Sequence, residues 1–244
     1  MYHYEQDKDF LSKLRTLCGE IIQECCHYLK EDEDIGANFY LVLSGAGILI
    51  AQNENEPIEL GYNLEITRCE YPDNCYRIRN AMIRVFNKVL KKYGWAECQD
   101  TTYTLKTEKG AYLDGYDTEF YINLCVTTSD RYNTLYLLTR KTGKNGKSGR
   151  YFWERIPNSA EIQGKVTYIK NKIKWKLVRY EYMNALNASL EKDKEDKPAV
   201  LSYIEVVNKV YNTRKSWEEP EEPSDEPDDS DDFDDSDDAP QEEA

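Results

Sequence analysis

The sequence has no run of about 20 apolar residues, and so offers no helix that would span a bilayer. It has two histidines, His3 and His27, both close to the N-terminus, which leaves little material for a Ser-His-Asp or Cys-His catalytic pair. It has no Cys-x-x-C spacing. Cys18, Cys25, Cys26, Cys69, Cys75, Cys98 and Cys125 are odd in number and scattered, the pattern of free thiols in a reducing compartment. Cys25, Cys26 and His27 are adjacent, and adjacent side chains on a helix point about 100° apart, which argues against a shared zinc ion. Met1 to Lys13 is polar and charged, so no secretory signal is expected there. These absences point to a cytoplasmic protein without a membrane partner.

Positive charge is missing from one region altogether. From Glu218 to Ala244 there are 16 acidic residues and no Lys or Arg, so the formal charge of −14 belongs to the C-terminal segment, and Met1 to Trp217 carries a net +2. The segment is low in complexity, bears prolines and has one aromatic residue, Phe233. It holds too little apolar surface to offset the entropy of ordering and is expected to be disordered. A solubilising role, an arm for a basic protein partner anchored by Phe233, and a nucleic-acid mimic covering a basic surface are the readings this composition allows. The remaining chain is rich in Tyr, Asn and Lys, a bias of AT-rich bacterial, phage or mobile-element genomes.

Apolar spacing organises what is present. Phe10, Leu14, Leu17, Ile21, Cys25 and Tyr28 recur at three and four and predict a helix over Tyr4 to Lys30. Ile78, Met82, Val85, Phe86, Val89 and Leu90 predict a second over Asn74 to Tyr93, with Gly94 at its C-terminal end and Lys91-Lys92 at the negative end of its dipole. Strands are expected at Tyr40 to Leu43, Tyr62 to Ile66, Trp95 to Cys98, Thr102 to Thr107, Ala111 to Leu113, Asp117 to Val126 and Asn133 to Thr139. Ile48 to Gln52 reads as a short helix. Arg140 to Arg150 holds five basic residues and three glycines and reads as a basic loop. Its Gly146-Lys147-Ser148 lacks the earlier glycine a P-loop needs, since position 141 is Lys, so Lys144 and Lys147 are candidate phosphate contacts through charge alone. Asn158 and Glu161 have capping-box spacing ahead of a helical region with a break near Lys174, and Val200 to Tyr211 predicts a last helix.

The stretch Leu41 to Ile66 carries a more specific pattern: an apolar strand, the small-residue turn Ser44-Gly45-Ala46-Gly47, and a second strand with Leu64 and Ile66 on one face and Asn63 and Glu65 on the other. This resembles the core of the nucleotidyltransferase superfamily, in particular its antitoxin- and toxin-associated branch, where a Gly-Ser or Gly-Gly turn precedes a strand bearing an Asp-x-Asp/Glu metal pair. The resemblance implies an α+β fold, with a mixed sheet and flanking helices over 1–156, a small helical region over 157–216 and the acidic tail over 217–244. It implies Ser44 and Gly45 as nucleotide contacts, Asn63, Glu65 and Glu119 as the metal set, Glu65 and Glu119 as catalytic carboxylates that converge, and Mg²⁺ as cofactor. Asn63 stands where the family has a carboxylate. The reading is therefore a nucleotidyltransferase-like protein impaired in catalysis and acting in binding or assembly. An active Mg²⁺-dependent enzyme using Glu65 and Glu119, and an unrelated interaction protein with an acidic tail, are the alternatives.

Overall fold

The structure is a computed structural model that describes residues 1–42, 50–108, 110–111, 113–141, 149–190 and 198–217. Ser44, Gly45, Lys144, Lys147 and the acidic tail from 218 onward lie outside the described residues, as does most of the expected basic loop.

The elements run β1 (Tyr2–Tyr4), α1 (Lys8–Glu33), β2 (Gly36–Leu41), β3 (Ala51–Asn53), β4 (Ile58–Arg68), α2 (Cys75–Lys92), β5 (Gln99–Asp100), β6 (Thr104–Lys106), β7 (Phe120–Ser129), β8 (Leu135–Lys141), β9 (Arg150–Arg155), α3 (Ile162–Asn171), α4 (Trp175–Leu190) and α5 (Ala199–Asn212). The large sheet has the order β2-β4-β7-β6-β5, with β8 also pairing β7 and β9 pairing β8. Its central pair, β4 and β7, is parallel, with Ile58 opposite Phe120 and Ile66 opposite Thr128; the other pairings are antiparallel. β1 and β3 form a separate two-stranded ribbon. The fold is thus α+β with a mixed sheet and flanking helices, as the sequence implies.

Alternation sorts the central strands into two faces. Ile58, Leu60, Tyr62, Leu64 and Ile66 of β4 and Phe120, Ile122, Leu124 and Val126 of β7 face α1 and α2 in one apolar core. The helices bring Phe10, Leu14, Cys18, Ile21, Ile78, Met82, Phe86 and Val89 to it. Asp7 caps α1 by accepting from the Phe10 amide at 2.9 Å, and Asn74 caps α2 by accepting from Arg77 at 3.0 Å. A row of ion pairs, Glu33–Arg84, Asp32–Lys88 and Glu24–Lys92, crosses the outer surface of the two helices.

The opposite face is covered by α3, α4 and α5. Val42, Cys125, Leu135, Leu137 and Ile156 share a second core with Ile169, Trp175, Val178, Tyr182, Val200, Ile204 and Val207. The expected 158–161 capping box does not form. Glu161 is the cap position, in the left-handed region with no side-chain cap bond, and the Ser159 hydroxyl instead donates to the Ile156 carbonyl and accepts from the Leu135 amide. The break near Lys174 is real and closes as a Schellman turn. Ile173 takes φ of 55°, its amide donates to the Lys170 carbonyl, and the Lys174 amide donates to the Ile169 carbonyl.

Other local readings are corrected. Ala51 and Gln52 are in a strand rather than a helix, because β3 pairs with β1. Trp95 to Cys98 is not a strand; Trp95 packs its ring against Phe120 and the strand begins at Gln99. Ala111 makes one isolated bridge to Phe120.

Candidate functional site

The face of β4 that carries Glu59, Gly61, Asn63 and Glu65 holds the expected motif, and β7 lays Tyr121, Asn123, Cys125 and Thr127 beside it in register. Asn63 is fully buried. Its Nδ2 donates to the Thr127 hydroxyl at 2.8 Å, and its Oδ1 is buried with no hydrogen-bond partner among the described residues. Tyr40 of β2 is opposite Asn63, and burial, then the nearby Glu65, pushes its phenol pKa up. Glu65 is half-buried and accepts from the Ser129 hydroxyl at 2.7 Å.

Glu119 does not join them. Glu65 is paired with Thr127, eight positions beyond Glu119, which at ~3.3 Å per residue puts roughly 26 Å of strand between the two carboxylates. The expected convergence of Glu65 and Glu119 therefore fails, and the reason is register: β4 and β7 are parallel, so Glu119 precedes the strand at its Ile58 end, where its carbonyl accepts from the Ile58 amide at 2.8 Å.

The acidic residue at that end is Glu59, which sequence reasoning missed. It accepts from the Tyr121 hydroxyl at 2.8 Å and from Asn123 Nδ2 at 2.9 Å. The missed signal is continuous alternation: Ile58 and Leu60 extend the Tyr62-Leu64-Ile66 face backwards, so the strand starts four residues before Tyr62 and places Glu59 on the same side as Asn63.

Helices close this face. A Cβ built on Gly61 would be 2.7 Å from the Ala199 side chain, so the first turn of α5 rests directly on β4 between Glu59 and Asn63. Tyr203 of α5 is near Tyr40, and its own phenol is pushed up to about 12 by burial. Tyr182 of α4 is buried close enough to Glu59 for that carboxylate to help raise its pKa, burial being the larger cause. Among the described residues no group of three or more His, Cys, Asp or Glu side chains could hold a metal ion. A two-ion centre needs carboxylates arranged to share cations, and the described residues offer Glu65 and Glu59 six positions apart on one strand with the fully buried Asn63 between them. The described residues do not fit such a centre. All seven cysteines are free, and no helix among the described residues is long and apolar enough to cross a membrane.

No protein-family model and no curated protein sequence matches the chain. Solved structures do. Escherichia coli DncV in its 3'-deoxy GTP bound form is similar over 89% of this chain and 70% of that one, with 10% identity and a TM-score of 0.50. E. coli MS115-1 CdnC with ATP shares 11% identity over 84% of this chain, with a TM-score of 0.46. The Bradyrhizobium diazoefficiens CD-NTase CdnG in complex with GTP shares 14% identity over 63% of this chain, with a TM-score of 0.39. The chain spans 59% of the CdnC chain and 41% of the CdnG chain. These neighbours are CD-NTases, members of the nucleotidyltransferase superfamily, and the fold of this chain is nucleotidyltransferase-like.

Proposed function

We propose that this protein uses a nucleotidyltransferase-like fold for binding or assembly and does not transfer nucleotides. The observation that carries the reading is Asn63: at the position where the superfamily pattern has a metal carboxylate, the side chain is neutral, fully buried and bonded to Thr127. Nucleotidyl transfer needs anionic ligands open to metal ions and triphosphate, and here Asn63 is fully buried while α5 packs against β4 at Gly61. In this reading residues 1–156 form the nucleotidyltransferase-like unit, 157–216 its helical cover and 217–244 an acidic arm for a basic partner.

A purine nucleotide is the proposed small ligand. Its support is the fold shared with a neighbour described as 3'-deoxy GTP bound. Ser44, Gly45, Lys144 and Lys147 are the proposed phosphate contacts, and Mg²⁺ enters as the counter-ion of those phosphates. Calorimetry with ATP and GTP in the presence of Mg²⁺, followed by chromatography of the same mixtures, tests both parts. The expected result is saturable heat of binding without any linear or cyclic product. Product formation with Mg²⁺ or Mn²⁺ would restore the active-enzyme alternative, and absence of binding would remove the nucleotide and leave assembly.

A further inference from the structure

The turn between α3 and α4 carries an exposed basic surface on its outer side. From Ile162 to Tyr180 there are six basic residues and no acidic one. Lys170, Lys172 and Lys176 are exposed along it, and Arg214 and Lys215 are exposed just beyond α5. Between Lys172 and Lys174 in the chain, Ile173 is 85% exposed, and Tyr168 on α3 and Tyr180 on α4 are exposed at 39% and 44%. Ile173 is also the residue in the left-handed conformation, which a β-branched side chain adopts at a steric cost that Gly or Asn would avoid. A backbone outlier that holds an isoleucine out in water, on a segment rich in lysine, is a reason to look for what covers it.

The same chain supplies the complementary charge. Trp217, the last described residue, is fixed beside this surface: its ring centroid is 5.9 Å from that of Tyr168 and its indole Nε1 donates to the Val210 carbonyl at 3.0 Å. Glu218 follows at once, and with it the 16 acidic residues. Tyr168 and Ile173 are about 8 Å apart along a helix axis at ~1.5 Å per residue. Phe233 is 16 residues beyond Trp217, and random-coil statistics for a chain of that length give a span of roughly 22 Å at ~5–6 Å × √n, long enough to connect Trp217 to Ile173. Tethering at Trp217 makes the encounter intramolecular and raises the local concentration of the tail at this surface.

We infer that the acidic segment Glu218 to Ala244 docks on the α3–α4 surface of its own chain, its carboxylates facing Lys170, Lys172 and Lys176 and Phe233 covering Ile173. The inference rests on the proposed role of the tail as an acidic arm that seeks positive charge, and assigns it a basic surface of its own chain in place of a separate partner. Nucleotide binding plays no part in it, so either idea can fail alone.

Zero-length carbodiimide coupling of the full chain at low salt, with peptides mapped by mass spectrometry, is the test. Tail carboxylates are expected to couple to Lys170, Lys172 and Lys176 at least fivefold more than to Lys30 and Lys91, which are exposed on α1 and α2, and the preference should vanish at 0.5 M NaCl. Even coupling across all lysines, or coupling concentrated on residues 140–150, overturns the assignment. An equal mixture of ¹⁴N and ¹⁵N chains separates the cases further: mixed-mass products would make a second copy the occupant and overturn the intrachain form. Ile173→Asn, which suits the left-handed backbone, and Phe233→Ser should each lower the coupling severalfold, and unchanged yields from both would overturn the apolar anchor. Fluorescence anisotropy with single-stranded DNA at low salt supplies a second readout. The unmodified chain should bind at least tenfold more weakly than a variant with the eight aspartates from Asp228 to Asp238 changed to Asn. Equal binding by the two overturns the proposal in favour of a surface left open to nucleic acid.

Discussion

The two faces of the sheet are built on different terms. Toward α1 and α2 the central strands present Ile58, Leu60, Leu64, Phe120, Ile122 and Val126, and two capped amphipathic helices close over them. Toward α3, α4 and α5 the same strands present Glu59, Asn63, Asn123 and Thr127, and the helices close over these too. An apolar face buried by helices is ordinary hydrophobic packing. A polar face buried by helices needs each group satisfied, and Asn63 Oδ1 and Asn123 Oδ1 are not. The first face is apolar throughout, whereas the second sets a polar strip of β4 and β7 beside an apolar core.

Substitutions on the two faces should differ in kind as well as size, and urea unfolding measures both. Phe86→Ala on the α1/α2 side removes a fully buried ring and is expected to cost about 3–5 kcal/mol by loss of contacts and creation of a cavity. Asn63→Asp on the other side is expected to cost about 3 kcal/mol, because it buries a charge with only the Thr127 and Tyr40 hydroxyls near it and no cation. That expectation opposes a metal-site reading, in which the new carboxylate would bind Mg²⁺ more tightly. Stabilisation of the Asp variant by Mg²⁺ would show that α5 leaves this face. Gly61→Ala, which sets a methyl 2.7 Å from Ala199, is expected to cost about 1–3 kcal/mol by overpacking. A neutral outcome would mean that α5 already rides loosely. A smaller effect separates the faces without mutation: Cys18 lies in the first core and Cys125 in the second, and burial raises both thiol pKa values. Alkylation of native protein should reach Cys125 before Cys18, through local opening of the helical cover. Equal rates would show that both cores open only with global unfolding.

How much of this was legible in the chain follows the same division. The α1/α2 core was readable because spacing of three and four in Phe10-Leu14-Leu17-Ile21-Cys25 and in Ile78-Met82-Val85-Val89 needs one partner surface and no knowledge of where it is. The nucleotidyltransferase-like fold was likewise visible in the small-residue turn and the alternation of Leu64 and Ile66. Register was not. The pairing of Glu65 with Thr127 rather than with a residue near Glu119 depends on a parallel alignment of strands distant in sequence, and nothing local encodes it. β9 was hidden for another reason. Arg150-Tyr-Phe-Trp-Glu-Arg155 follows a glycine-rich basic stretch, and its charged ends masked the aromatic middle that packs against the first core through Tyr151 and Trp153. Glu59 is hard to read from sequence because Gly61 looks like a turn ahead of the strand, whereas it is the position that lets α5 approach.

The parallel pairing of β4 with β7 also sets a timetable for synthesis. Each residue of β4 waits for a partner 62 positions later in the chain, which at ~5–20 residues per second is roughly 3–12 s on the ribosome. During that interval α1 and α2 can shelter one side of β4, since both emerge before or soon after it. The other side waits longer, until Ala199 to Asn212 has left the exit tunnel and α5 can settle on Gly61. A nascent chain stalled after β7 has left the tunnel and before α5 has would therefore display a paired sheet with one uncovered flank, and that is the species a chaperone would be expected to hold.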